Sequence, residues 1–212
     1  MKKPQNLHQW EIQHLSEIAK LTTKPKLLMH SCCAVCNAWP LEYLYPYFEI
    51  TLYYNNSNIA PYDEYELRLS ELKHYVEHFN AAHQTTILIA EEPYDYATYK
   101  ATYLEKRADD KEGTLRCGMC YALRINQALQ YAATHGFDYV TTVMTISRQK
   151  NADKINDIAK RLMGAYPNLT YFYSNFKKAK GIDFSVNTAK ALGIYRQEYC
   201  GCEYSFDHLS HD

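Results

Sequence analysis

Long apolar runs are missing from this 212-residue chain. None approaches the roughly 20 residues that a membrane-spanning helix needs. The first twenty residues, MKKPQNLHQWEIQHLSEIAK, lack the apolar core of a secretion signal. Glycine and proline are scarce, at seven each, too few for a disordered chain. Net charge is nearly absent too: 23 basic against 24 acidic side chains leave −1, which gives no global attraction to nucleic acid. These absences predict a soluble, cytoplasmic protein with no membrane partner. The 47% apolar content is enough for a real core, and the length suits one domain, or one with an appendage.

Cysteine is where the sequence is rich. There are seven: Cys32, Cys33, Cys36, Cys117, Cys120, Cys200 and Cys202. The length, the odd number and the missing signal argue against a secreted disulfide scaffold. In a reducing compartment, clustered cysteines point to metal binding or redox chemistry. Isolated cysteines are often small buried hydrophobes. Here none is isolated: the groups are Cys-Cys-x-x-Cys, Cys-x-x-Cys and Cys-x-Cys.

Periodicity predicts alternating helices and strands. Asn6 to Lys20 reads as a helix. Lys26 to His30 is a short apolar strand running straight into SCCAVC. Pro40 fits the first turn of the next helix. Glu49 to Tyr54 is a second strand. Tyr65, Leu69, Leu72, Val76 and Phe79 form a helical stripe, and Thr85 to Ala90 a third strand. A helix follows Cys117 and Cys120 and ends near Gly136. Tyr139 to Ile146 is a strand, Ile155 to Leu162 a helix face, Leu169 to Tyr173 a strand. Asp183 to Leu192 is a last helix, capped by Gly193. This alternation predicts an α/β fold with a mainly parallel sheet. Residues 1–24 read as an N-terminal helical extension and 25–212 as a single α/β catalytic domain.

In open parallel sheets ligands bind beyond the carboxyl ends of the strands. Cys32 and Cys33 follow the first strand at once. Cys117 and Cys120 open a helix, whose free N–H groups favour thiolates. Cys200 and Cys202 follow the last helix. The fold can bring all three groups to one edge. Thiolates select zinc, copper(I) or iron–sulfur clusters. Only one group has the knuckle spacing of structural zinc. If oxidised, Cys200–Gly201–Cys202 closes a tiny strained ring, the kind that is redox-active rather than structural. As thiols the two are further ligands or buried side chains.

The ordered set HSCCAVC, YYNNSNIAPYDEYELR, RCGMCYALR, TTVMTISRQKN, NFKKAKG and GIYRQEYCGCEYS resembles the cobalamin-independent epoxyqueuosine reductases of the QueH type. The resemblance runs from about Lys26 to about Ser205 and leaves out the N-terminal helix. It implies a three-layer α/β sandwich related to the HUP class, which is adenine nucleotide alpha hydrolase-like. It implies a 4Fe-4S cluster with an adjacent mononuclear iron. The substrate implied is tRNA containing epoxyqueuosine, reduced to queuosine with electrons from an external donor. Cys32, Cys33, Cys117 and Cys120 are the implied cofactor ligands, with Cys36 closing the first motif. Some family members carry Asp at that place as an iron ligand, so the second metal's ligand set departs from the pattern here. Neither motif nor spacing divides the sulfurs between cluster and iron. Cys200 and Cys202 are relay candidates. Asp63, Tyr62 and His30 are candidate proton donors, ranked below the cysteines because packing or capping explains each of them as well.

A tRNA substrate needs an electrostatic footprint. Ile146 to Lys180 holds eight basic against two acidic side chains, while Pro40 to Glu112 holds fourteen acids against six bases. Arg148, Lys150, Lys177, Lys178 and Lys180 fall in predicted loops at strand ends and are the candidate phosphate contacts. Asn55 and Asn58 lie beyond the second strand and either contact substrate or satisfy a turn. Two rivals make different demands. An ATP-dependent tRNA-modifying enzyme of the HUP class expects a glycine-rich loop after the first strand, but no glycine occurs from Met1 to Asp110. A zinc-bearing RNA-binding module without catalysis expects redox-silent zinc.

Overall fold

The computed structural model describes residues 6–205. Five strands form one sheet: β1 (Lys26–Ser31), β2 (Glu49–Tyr54), β3 (Leu88–Glu91), β4 (Tyr139–Thr142) and β5 (Thr170–Tyr171). Their order is β3-β2-β1-β4-β5, and every pairing is parallel. The helices are α1 (Leu7–Ile18), α2 (Ala34–Leu44), α3 (Tyr62–His83), α4 (Tyr96–Tyr99), α5 (Leu115–Thr134), α6 (Ala152–Leu162) and α7 (Gly181–Leu192). Among the described residues no helix is long and apolar enough to cross a membrane. Parts of the two predicted segments, residues 1–5 and 206–212, lie outside the described residues.

Strand alternation sorts the core into two layers around the sheet. Leu27, Met29, Ile50, Leu52 and Tyr54 face α2 and α3. Leu28, Tyr53, Val140 and Tyr171 face α5 and α6. The α/β three-layer sandwich is therefore as expected. All five stripe residues of α3, from Tyr65 to Phe79, are buried. Each fully buried Leu, Val or Phe removes enough apolar area to contribute roughly 1.5–3 kcal/mol. α1 docks on the outside of this sandwich through Leu15 and Ile18, with Trp10 against Phe172 and Tyr173.

Several boundaries differ from expectation, each for a local reason. The second helix begins at Ala34, because Cys33 caps it: Cys36 N donates to Cys33 Sγ at 3.3 Å. Pro40 therefore sits inside α2 rather than in its first turn, and the Cys36 carbonyl loses its intrahelical donor. The strand expected to reach Ile146 ends at Thr142, whose Oγ1 accepts from Met144 N at 3.2 Å and starts a 3₁₀ turn over Val143–Ile146. The third strand starts late because Asn80 imitates a strand partner for Ile87. Its Oδ1 accepts from Ile87 N at 2.8 Å, and its Nδ2 donates to Ile87 O at 3.0 Å. The fifth keeps only Thr170–Tyr171 in the ladder, continued by one bond from Phe172 N to Val140 O at 2.8 Å. The last helix starts two residues early, at Gly181. Only glycine fits there, since a Cβ would collide with the Phe176 carbonyl and the Trp39 ring.

Candidate metal and redox centre

The sheet order reverses direction between β1 and β4, and such switch points open a crevice at the strands' carboxyl ends. Cys32 and Cys33 lie in that crevice, directly after β1. A polar frame holds their loop. Ser31 Oγ donates to Asn37 Oδ1 at 2.8 Å, Asn37 Nδ2 donates to the Cys33 carbonyl at 2.7 Å, and Asn56 Nδ2 donates to the Ser31 carbonyl at 2.8 Å. The Sγ atoms of Cys32, Cys33 and Cys36 lie within 4.8 Å of one another, an arrangement able to hold a metal ion. Cys33 and Cys36 are joined as a disulfide, so that pair becomes two ligands only on reduction. Cys200 and Cys202, which the sequence left open as a redox pair or as two thiols, are free thiols.

The other groups converge on the same place. Cys117 and Cys120 open α5, and Gly113 N donates to Cys117 Sγ at 3.1 Å. Arg124 is four residues after Cys120 and seven after Cys117, on the same helical face. It is only 4% exposed. Its Nε donates to His30 Nε2 at 3.1 Å, and its Nη2 bonds Asn56 Oδ1. Its charge faces Cys120, Cys32 and Cys200. Lys150 faces Cys200 and Cys32. Cys32, Cys36, Arg124, Lys150 and Cys200 line one cavity of about 260 Å³. Cys117, Tyr121, Lys150 and Cys200 line a second, of about 360 Å³.

The Cys200 loop is pinned on several sides. Arg68 donates to the Tyr199 carbonyl at 3.1 Å and the Cys200 carbonyl at 3.3 Å, and is itself paired to Glu64 at 2.6 Å. Ala60 N donates to Gly201 O at 2.8 Å. Glu203 is held by Tyr96 and by Lys100 at 3.1 Å. Gly201, at φ +102°, lies against Ile59 and Arg68, where a Cβ would be 2.9 Å from Ile59 Cγ1.

Electrostatics separates the thiols. Burial alone would raise Cys200, but the Lys150 ammonium and the Arg124 guanidinium outweigh it and hold that thiol below its ordinary value. Burial pushes Cys202 up to about 12. It raises Cys120 as well, against the pull of Arg124. His30 is driven well below its usual value, first by burial and then by Arg124. Its Nε2 accepts from Arg124, so Nδ1 carries the proton and donates to Thr142 Oγ1 at 2.9 Å. Both ring nitrogens of His30 are thus engaged, and it orients Arg124. Tyr62 is 52% exposed, and Asp63 lies exposed in the first turn of α3, lining none of the cavities described here.

The basic candidates divide. Arg148, Lys178 and Lys180 are exposed. Lys177 turns inward, its Nζ donating to the carbonyls of Lys150 at 2.6 Å and Ser147 at 3.3 Å. Lys150 points at Cys200. Asn55 and Asn58 are buried beyond β2. The sequence reading passed over Arg124 and Gln197. Gln197 Nε2 donates to Cys33 Sγ at 2.9 Å and Cys36 Sγ at 3.5 Å. Both residues stand inside the cysteine motifs, and for Arg124 the helical spacing from Cys117 was the available signal.

Five thiols and two inward cations at the switch point of a doubly wound sheet fit an anionic, thiolate-held metal centre. The structure thus defines a parallel α/β protein with cysteines directly after its first strand, at the switch point of the sheet. Comparison with known proteins makes the class specific. The family model for epoxyqueuosine reductase QueH matches residues 27–208. An epoxyqueuosine reductase QueH of Staphylococcus aureus is 38% identical over 183 residues, 86% of this chain and 76% of that one. A QueH of Streptococcus pyogenes is 38% identical over 186 residues, covering 88% and 72%. One of Thermotoga maritima is 30% identical over 179 residues, covering 84% and 89%. The chain belongs to the epoxyqueuosine reductase QueH family.

Proposed function

We propose that this protein is an oxidoreductase that removes the epoxide oxygen of epoxyqueuosine in tRNA, leaving the alkene of queuosine. The reaction consumes two electrons and two protons and releases one water. The observation that carries the reading is the meeting of three separated cysteine groups around Arg124 in a chain of this family. Cys32, Cys33, Cys36, Cys117 and Cys120 would hold a 4Fe-4S cluster and an adjacent iron. Bound there, that group supplies single electrons and a Lewis-acid site for the epoxide oxygen.

The chain's own residues do the rest. Arg124 and Lys150 offset the negative charge of the thiolates in a water-poor site. Gln197 donates to the sulfurs of Cys33 and Cys36 and orients them. Cys200 and Cys202, as a dithiol, carry two electrons and two protons, which is what one reduction consumes. An external donor must restore them. Arg148, Lys178 and Lys180 meet the tRNA backbone from the exposed rim. The test is anaerobic reconstitution with iron and sulfide, followed by incubation with epoxyqueuosine tRNA and a strong reductant. Conversion to queuosine that is lost in Cys33→Ala and Cys117→Ala is expected. Tight zinc binding with no iron uptake would overturn the reading.

A further inference from the structure

A larger cavity, of about 610 Å³, opens beside the cysteine centre, between the ends of β2 and β3, α4 and the middle of α5. That size lies within the roughly 300–1,000 Å³ of small-ligand sites. Two of its lining residues, Tyr99 and Arg124, also bond Cys120, so its inner end meets the thiols. Its walls are otherwise unlike the basic cavities. They carry the carboxylate of Glu92, the amides of Asn55 and Asn58, and an aromatic bank. Tyr53 and Tyr131 are 4.7 Å apart between ring centroids, and Tyr131 stacks on His135 at 3.8 Å and 6°.

Two acceptors look for donors here. Asn58 is 2% exposed, and its Oδ1 has no hydrogen-bond partner among the described residues. A buried acceptor left unmatched is unfavourable, so the site favours a ligand that brings a donor to it. Glu92 is held in place by Tyr53 Oη, which donates to its Oε1 at 3.2 Å and in turn accepts from Asn55 Nδ2 at 3.3 Å. A fixed carboxylate repels phosphate and accepts from donors, a sugar hydroxyl or the donors of a base edge. Guanine-type edges place two donors side by side, the N1–H and the 2-amino group, and a carboxylate accepts both. Adenine, cytosine and uracil edges offer no such pair. Unstacked bases are commonly held on aromatic faces.

We propose that this cavity holds the 7-deazaguanine ring of the wobble nucleotide. Glu92 accepts from its N1–H and 2-amino group, Asn58 Oδ1 takes a further donor, and the aromatic bank stacks the ring. The substituent on ring position 7 then runs past Tyr99 and Arg124 to the cysteines. The inference rests on the epoxyqueuosine reading and adds where, and by which edge, the base is read.

The test is steady-state kinetics of the reconstituted enzyme with epoxyqueuosine tRNA for wild type, Glu92→Gln and Asn58→Ala. Glu91→Gln, which removes one charge outside the cavity, is the control. Binding of two anticodon stem-loops is measured in parallel, one with guanosine and one with inosine at the wobble position. We expect Glu92→Gln to raise KM at least tenfold with kcat within threefold, and Glu91→Gln to leave KM unchanged. Wild type should prefer guanosine to inosine about tenfold, and Glu92→Gln should lose that preference. An unchanged KM in Glu92→Gln, or equal wild-type affinity for the two stem-loops, overturns the inference. If wild type reduces no epoxyqueuosine tRNA, the proposed function fails. The stem-loop preference then decides the cavity alone.

Discussion

Neutralising one buried carboxyl should stabilise this protein at alkaline pH and leave it unchanged at acid pH. Glu11 lies on α1, 8% exposed, and its pKa is raised from 4.5 to about 7. Burial is the main cause, opposed by a hydrogen bond from Tyr43 on α2 and by the Lys178 ammonium before α7. The folded pKa exceeds the unfolded one, so the protonated acid is what the fold favours. Its contribution is complete below pH 4.5, is lost as pH rises to about 7, and is absent above that. The rise from 4.5 to about 7, at about 1.4 kcal/mol per pH unit, sets the penalty for ionising Glu11 in place at about 3–4 kcal/mol. Glu11→Gln keeps the shape and removes the ionisation. Urea unfolding of the reduced, metal-free protein at pH 4 and pH 8 would measure it. The variant's midpoint should match wild type at pH 4 and exceed it by roughly 1 M at pH 8, taking a urea m-value of about 2–3 kcal/mol per molar. A difference between the two proteins that stays constant across pH would refute the assignment. His14 on the same helix is shifted downward by burial, but it titrates in both proteins and cancels in the comparison.

Arg124→Met removes a buried cation and leaves His30 Nε2 and Asn56 Oδ1 unmatched, so unfolding free energy should fall by about 3–5 kcal/mol, with less iron retained after reconstitution. Gly201→Ala demands a strained φ and a shift of Ile59. Thiol-labelling of Cys200 should become several-fold faster as the loop loosens. Arg148→Ala should weaken tRNA binding and reduce its salt slope by about 1 without changing the melting temperature, since its Asp183 partner at 3.8 Å is equally exposed. Lys177→Ala should instead lower the melting temperature, because its ammonium satisfies two loop carbonyls.

Period-2 and period-3.6 patterns made the sheet and its helices legible. Tyr65 to Phe79 could only be a helix face, and Glu49 to Tyr54 only a strand. Strand ends were illegible where a polar side chain takes over from the ladder. Thr142 turns the chain into a 3₁₀ coil, and Asn80 occupies the groups of Ile87. No periodicity announces such bonds. The cysteine groups stood out by their spacing as candidate ligands, and their meeting followed from their positions at strand and helix ends. Which cysteines pair was not legible. Cys200 and Cys202 read either as a strained redox pair or as two thiols, and nothing in the spacing pointed to Cys33 and Cys36, whose disulfide spans the first turn of α2, where a capping sulfur already faces the next cysteine.

Charge counts misled in an instructive way. The basic excess from Ile146 to Lys180 suggested a surface for phosphate, but Lys150 and Lys177 face inward and only part of the excess is displayed. An ammonium or guanidinium taken out of water carries a penalty of several kcal/mol unless an anion faces it. Arg68 has such an anion in Glu64, at 2.6 Å. Around Arg124 and Lys150 the facing groups are Cys32, Cys120 and Cys200, which provide an anion only as thiolates. Neutral thiols would leave both cations uncompensated, and thiolates without cations would be driven to protonate by burial. The two sets stabilise each other only when the sulfurs are ionised, which is the state that binds a soft metal. Arg124, fixed by His30 and Asn56, thus joins Lys150 in favouring the thiolate of Cys200, while burial still raises Cys120 against the same pull.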